Sequence, residues 1–328
     1  MSFWTLKNAA LRLRKTAARR LADMFNDRTL AARTLPPIAK GDGRDGRIAL
    51  VAIMKDEQDY VAEWLEFYIL QGVSKFVIYD NGSTDRTVDI VKSYARHVDC
   101  TVIPWRTFIG RDGNAFSLQA LAYAHALTNF GHDVRWMAFL DVDEFLFATS
   151  GELLVTAMTE FADLPSLSIP WTNFGPNGHA AKPEGLVIEN YTECTPHPMQ
   201  QSQRSLVRYK SIVDPSEVSG MGTHHFPLIG HGLVMFNEKR VRVSTSNAHN
   251  PSVVVTGKLQ LNHYFTRSVE EMQARIAKGR ISRNGKKVEN YIDRRLKAYQ
   301  VHTAQEEKIL QFLPALKEQM RDRALRRA

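Results

Sequence analysis

At Trp136-Met137-Ala138-Phe139-Leu140-Asp141-Val142-Asp143-Glu144-Phe145 an apolar run meets three carboxylates within four residues. A run this short, continuous and apolar suits a strand buried on both faces, here Arg135 to Leu140. Strands of that kind build open α/β sheets, whose ligands bind beyond the carboxyl ends of the strands. If the chain stays extended, period two places Asp141 and Asp143 on one side, close enough to repel each other. A divalent cation, Mn²⁺ or Mg²⁺, is the simplest relief, because such ions take carboxylate oxygens together with phosphates and waters. The plainer alternative is a solvated strand end leading into a helix N-terminus, where acids are favoured without any ligand.

Upstream, Ile48 to Ile53 is a second continuous apolar run and reads as a strand. Val61, Trp64, Leu65, Tyr68 and Ile69 then recur at helical spacing within 59–71, with Gly72 as the stop. Lys75 to Asp80 reads as the next strand, Asn81 to Asp85 as a turn, and a helix starts near Arg86. A third strand is expected at Cys100 to Pro104, a helix at Ala115 to Thr128, and another helix after Gly151. This alternation predicts an α/β fold with a doubly wound, mainly parallel sheet. Asp80 and the 141–143 acids then end neighbouring strands at one edge, an arrangement that suits a nucleotide. Asp80 would accept from a base N–H or a ribose hydroxyl, Asp143 would hold the metal on a diphosphate, and Asp141 would assist or contact the ribose. The Asn81–Asp85 stretch also reads simply as a turn and helix cap. Beyond residue 165 the texture changes to short strands and Pro/Gly turns, an α+β second half. From Ser268 onward it is helical, at Val269 to Lys278, Val288 to Tyr299 and Gln305 to Ala324.

The net charge of +8 is concentrated at the start of the chain: residues 1–44 hold ten Lys/Arg against three Asp. The remainder is close to neutral, which argues against a nucleic-acid groove. In the same extension Trp4, Leu6, Leu11, Leu13, Leu21, Met24 and Phe25 are interleaved with the basic residues. That pattern fits either a solvated helix or an amphipathic segment on an anionic membrane surface. Apolar residues make up 44% and charged residues 24%, as in ordinary globular chains. Cys100 and Cys194 lie in no zinc-site or disulfide pattern. No apolar window is long enough to span a bilayer and no signal-peptide core is visible, so a cytoplasmic protein, peripheral on the membrane's inner face if the extension binds lipid, is expected.

Taken in order, Lys55-Asp56-Glu57, Glu63 to Tyr68, Gly72-Val73, Tyr79 to Asp85 and Phe139 to Phe145 resemble the family 2-like and family 92 glycosyltransferases. The resemblance continues through Trp171 to Gly175 with Gly178-His179, Pro183 to Leu186, Lys210 to Val213, and His263-Tyr264 with Ser268 and Glu270-Glu271, covering roughly residues 48–285. It implies a GT-A fold, a UDP-type nucleotide-diphosphate sugar as donor, Mn²⁺ or Mg²⁺, a glycan or surface polysaccharide acceptor, and inversion at the anomeric carbon. On this basis residues 1–44 are a basic extension and 45–265 a GT-A domain, with a nucleotide half at 45–150 and an acceptor half at 151–265. Residues 266–328 form a helical region. Lys55, Glu57, Asp80 and Asn81 fall in donor-binding segments. One departure is that Asn81 stands where family 2 commonly has Asp, leaving the base or ribose contact to Asp80. Another is the loop Gly175 to His179, which bears on acceptor preference.

Sugar transfer needs stabilisation of a departing diphosphate and a base for the acceptor hydroxyl. A downstream His commonly completes the metal site in GT-A enzymes, and His263, after the strand-like Leu259-Gln260-Leu261, is chosen over His224 and His225. The metal set is thus Asp141, Asp143 and His263. Lys278 and Arg280, beside Gly279, are candidate diphosphate partners on a lid. For the base, Glu184 is preferred to Asp214 and Glu217, with His179 as substitute or acceptor contact. Trp105, Trp171 and Phe174 are candidates for stacking on a sugar, although such aromatics are more often core. Two other classes remain open. A sugar nucleotidyltransferase usually carries a Gly-rich phosphate loop, absent from Lys55-Asp56-Glu57. A non-enzymatic carbohydrate-binding or membrane-adaptor protein has no use for acids converging on a sheet edge.

Overall fold

The computed structural model describes residues 34–106, 118–196, 207–244, 246–248, 250, 253–277 and 303–325. Strand β1 (Ile48–Met54) explains the unbroken apolar run, because its residues divide between two cores. Ile48, Leu50, Ala52 and Met54 join the core of helix α1 (Val61–Leu70) through Trp64, Leu65, Phe67 and Tyr68. Ala49 and Val51 face the other core with Ala122, Tyr123, Ala126 and Leu127 of the helix at Leu118–Phe130. With both faces covered, no polar alternation is possible.

Strand β2 (Lys75–Asp80) pairs in parallel with β1, and β3 (Asp99–Pro104) in parallel with β2. Helix α2 (Thr87–Tyr94) connects β2 to β3, and α3 (Leu118–Phe130) precedes β4 (Trp136–Phe139), which returns to pair in parallel on the other flank of β1. The order of strands therefore reverses between β1 and β4, the point at which doubly wound sheets bind ligands. Gly72 ends α1 at φ +84°, where a side chain is strained and a Cβ would also run into Val155.

The expectation of a mainly parallel sheet holds for these four strands and fails beyond them. Strands β5 (Glu144–Ala148), β6 (Ser166–Asn173), β7 (Tyr209–Val213) and β8 (Leu259–His263) complete an eight-stranded sheet ordered β3-β2-β1-β4-β7-β6-β8-β5. β7 is antiparallel to both β4 and β6, and β5 is antiparallel to β8, so the sheet is mixed. The helix expected after Gly151 is only one turn, Leu154–Ala157, followed by a 3-10 turn at Met158–Phe161. Helices α4 (Val269–Ala277) and α5 (Leu313–Leu325) fulfil two of the three expected C-terminal helices; the third, at 288–299, lies outside the described residues. Phe312, just before α5, packs its ring 6.0 Å from Phe67, and Gln319 donates to the Glu66 carbonyl (2.8 Å).

Most of the amphipathic segment, residues 1–33, also lies outside the described residues. Within them, no helix is long and apolar enough to cross a membrane. The rest of the extension packs on the fold. Leu35 donates to the Ser219 carbonyl (3.0 Å), and Arg44 makes a two-pronged pair with Asp214 (2.7 and 3.0 Å). Arg135 reaches the same carboxylate at 2.9 Å. Burial alone would raise the Asp214 pKa, but the Arg44 hydrogen bonds and the Arg135 charge hold it below the usual range. Removing that carboxylate strands two guanidinium groups in a buried place. Asp214→Ala is expected to lower the unfolding free energy by about 3–5 kcal/mol in urea titrations, and a loss below about 1 kcal/mol would contradict this account.

Candidate active site

The chain does not stay extended after β4. It turns at Val142-Asp143, with Glu144 donating its N–H to the Asp141 carbonyl (3.0 Å), and this separates the two aspartates. The Asp141 carboxylate pairs with the Lys210 ammonium at 2.9 Å, and Lys210 also reaches Glu144 Oε2 at 3.2 Å. Asp143 meets the Arg275 guanidinium of α4 at 2.6 Å and has His263 Nε2 at 3.8 Å. Asp141 and Asp143 therefore do not share a pleat face, and each already has a protein cation.

Sheet register brings His263 into this group. On β8 it lies opposite Glu144 of β5 on one side and Asn173 of β6 on the other. Its ring packs tilted against Trp171, with centres 4.0 Å apart, and Nδ1 faces Asn173 Oδ1 at 3.2 Å. With the proton on that nitrogen, Nε2 presents its lone pair toward Asp143. On the other side of β5, Trp64 Nε1 and the Tyr68 hydroxyl donate to the Glu144 carbonyl (3.1 and 3.0 Å). Asp143, Glu144 and His263 each offer a ligand atom, all within 4.8 Å of one another. Asp143 Oδ1 and Glu144 Oε1 are buried with no hydrogen-bond partner among the described residues.

Electrostatics follow from that burial. It would raise the Asp143 pKa, but the Arg275 guanidinium overcomes it and holds the carboxyl well below its ordinary range. Burial raises Glu144 well above its ordinary value despite Lys210, and lowers His263 to about 3, so the imidazole is neutral at neutral pH. A neutral imidazole and two carboxylate oxygens without partners form a set of hard N and O donors. These residues fit a divalent cation such as Mn²⁺ or Mg²⁺, with Glu144 in the position that the sequence reading gave to Asp141.

Beside this cluster lies a cleft of about 400 Å³, lined by the loop after β1 (Lys55, Asp56, Glu57, Asp59, Tyr60), by Lys182, and by Phe265 to Arg275. Arg267 is its most unusual wall residue. Its backbone is left-handed (φ 48°), its guanidinium stacks 3.3 Å from the Tyr60 ring centre, and Glu57 lies 3.6 Å away. Its Nε and Nη2 are buried without hydrogen-bond acceptors among the described residues, which is costly unless an anion supplies them. A larger cleft of about 770 Å³ includes Ile48 and Trp136, the first residues of β1 and β4, and so lies at the amino edge of the sheet. That is the wrong edge for chemistry in this architecture.

The other expected site residues divide clearly. Lys55 and Glu57 line the 400 Å³ cleft. Asp80 is used by its own turn, accepting from the Gly82 and Ser83 N–H groups (3.2 and 2.9 Å), and Asn81 donates its N–H to the Met54 carbonyl (2.8 Å). Neither lines that cleft, and these contacts are the ones a turn would make. Glu184 is exposed and outside the cleft lining. His179 lines a separate cavity of about 320 Å³ and donates to the Asn190 carbonyl (3.2 Å). Asp214 and Glu217 belong to the amino-edge cleft, where Asp214 is bound by two arginines. His224 bonds to the Tyr209 carbonyl (2.9 Å), and neither it nor His225 joins the cluster. Lys278 and Arg280 lie outside the described residues. Of the aromatics, Trp105 packs on Tyr79, Phe174 on Tyr264, and Trp171 under His263, all as core. Glu144, Lys210, Tyr60, Arg267 and Arg275 received no role from the sequence, although Lys210 and Glu144 lie within the family-like segments.

The reversed strand order and the acid cluster beyond it define an α/β protein with the GT-A architecture that the sequence implied. Residues 51–298 match the model for glycosyltransferase family 92, and the chain belongs to that family. A family 92 protein of Oryza sativa subsp. japonica is 24% identical over 210 residues, which is 60% of this chain and 33% of that protein. One from Arabidopsis thaliana is 23% identical over 212 residues, 58% of this chain and 34% of the other. The chain thus spans about a third of the length of the curated relatives it matches. Among solved structures, S. aureus TarS 1-349 has 14% identity and a TM-score of 0.37, over 77% of this chain and 71% of that one. A glucosyl-3-phosphoglycerate synthase of Mycobacterium tuberculosis, in complex with Mn²⁺, UDP-glucose and phosphoglyceric acid, has 14% identity and a TM-score of 0.29, over 56% and 66%. At these scores the likeness carries no inference about ligands or single residues.

His263 carries a pH dependence that can be measured. Its folded pKa of about 3 lies below the ordinary 6.5, so between these values the unfolded chain binds a proton that the folded chain does not. Stability therefore falls as the pH drops below 6.5. In EDTA buffer the thermal midpoint of the wild type is expected to fall between pH 7.5 and 5, and more shallowly in His263→Asn. Equal slopes would contradict a buried neutral imidazole.

Proposed function

We propose that this chain is a metal-dependent glycosyltransferase that moves a sugar from a nucleotide-diphosphate donor, UDP-type by its sequence resemblance, to a glycan or surface polysaccharide acceptor with inversion. The observation that carries this reading is the buried trio Asp143, Glu144 and His263, with two orphaned carboxylate oxygens, at the carboxyl edge of the sheet. Asp143, Glu144 and His263 would hold the cation, which when bound supplies Lewis-acid stabilisation of the departing diphosphate.

The chain's own residues account for the rest. Arg267, held over the Tyr60 ring, has two nitrogens in need of acceptors, and a guanidinium fork matches phosphate oxygens. Lys55 and Lys182 add positive charge around the same cleft. An inverting transfer needs a carboxylate facing the acceptor. Among the cleft carboxylates, Glu57 and Asp59 have cationic partners, Asp56 accepts from the Thr84 N–H (2.7 Å), and Glu271 is bound by Tyr60, Tyr191 and Ser268. Glu270 also lines the cleft and, among the described residues, accepts only a long bond from the Lys182 N–H (3.3 Å). It is a better-placed base than Glu184.

A panel of nucleotide sugars assayed for hydrolysis and transfer tests this function. Activity is expected with Mn²⁺ or Mg²⁺, to disappear in EDTA, and to fall to background in Asp143→Asn with the fold intact by circular dichroism. Turnover that survives both treatments would refute metal dependence. Glu270→Gln is expected to lower kcat by about 10²–10⁴-fold, with Glu184→Gln close to wild type. The opposite ranking would return the base to Glu184.

A further inference from the structure

The two oxygens of Asp143 have different fates. Its Oδ2 is held by Arg275 at 2.6 Å, while its Oδ1, together with Glu144 Oε1, is buried without a hydrogen-bond partner among the described residues. Arg275 sits in the last turn of α4, also donates to the Phe265 carbonyl (2.8 Å), and forms part of the wall of the 400 Å³ cleft. One guanidinium therefore faces the cation cluster on one side and the donor cleft on the other.

We propose that Arg275 is a built-in counter-ion that competes with the divalent cation for Asp143 and turns to the anionic donor when the cation binds. The proposal rests on the metal reading of Asp143, Glu144 and His263. A guanidinium and a divalent ion within a few ångströms on one buried carboxylate repel strongly, because the low dielectric leaves that repulsion little screened. Without metal, Arg275 neutralises Asp143 and keeps the cluster from holding a bare buried charge. When a cation takes over that task, the guanidinium is freed on the wall that it shares with Arg267 and Lys182, where a diphosphate offers it oxygens. Metal and nucleotide binding are thereby coupled through one side chain, and such coupling is reciprocal. On this account Arg275 acts on the metal through Asp143 and, once freed, on the donor by direct contact.

The test is calorimetric titration of Mn²⁺ into the full chain, as wild type, Arg275→Gln and Arg275→Lys, with and without UDP. Without nucleotide, Arg275→Gln is expected to bind Mn²⁺ roughly 5- to 150-fold more tightly than wild type, with Arg275→Lys in between. The increase in Mn²⁺ affinity produced by UDP is expected to be smaller in Arg275→Gln than in wild type. A purely structural role for Arg275 predicts no such gain. Thermal melts provide a second readout should the Gln variant be unstable: Mn²⁺ is expected to raise its midpoint by more than it raises that of wild type. Equal or weaker Mn²⁺ binding and an equal or smaller shift in the variant overturn the proposal. Loss of Mn²⁺ binding in all three proteins, with UDP still bound, overturns the metal reading and this proposal with it.

Discussion

Two carboxylates buried side by side need compensating charge, and the carboxyl edge of this sheet is organised around that need. Asp143 and Glu144 are almost fully buried, at 2% and 0% exposure. Their counter-charges arrive from distant parts of the chain, Lys210 on β7 and Arg275 on α4. His263 closes the group from β8 and stays neutral through its own burial. A domain that only had to be stable would gain little from this arrangement, because buried ion pairs roughly break even against apolar packing. On the proposed function its value is to hold oxygen and nitrogen donors in fixed positions beside a cleft.

The scaffold that places these groups is rigid where it matters. β1 and β4 lie side by side between two apolar cores, and α1 clamps the start of β5 through Trp64 and Tyr68. The acidic turn between β4 and β5 is thus fixed at both ends. The wall opposite, from Phe265 to Arg275, carries the cations, and its left-handed residue Arg267 stores local strain at the cleft.

The parts of the fold visible in the sequence were those governed by burial and local geometry. β1, β2 and β4 were legible because strands covered on both faces read as unbroken apolar runs, and α1 because its apolar residues recur at helical spacing up to Gly72. Strand β8 was legible only as the strand-like Leu259 to Leu261, and β5 to β7 and the pairing of all four were not, because that pairing is set by contacts between residues far apart in sequence. The same limit applied at the site. Asp143 was selected by residue type and context, and His263 by the family resemblance together with its place after a strand-like segment. A single turn at Val142-Asp143, invisible to periodicity, sent Asp141 to Lys210 and left Glu144 in the cluster. Arg275 and Arg267 gave no signal beyond being basic, since only the folded wall shows what they face.

The most direct check on the central claim is a crystal structure of the protein grown with Mn²⁺, with the ion located by its anomalous scattering. This account predicts one ion in contact with Asp143, Glu144 and His263, with the Arg275 guanidinium displaced from Asp143. An ion bound elsewhere, or none at this cluster with the Asp143–Arg275 pair intact, would contradict it.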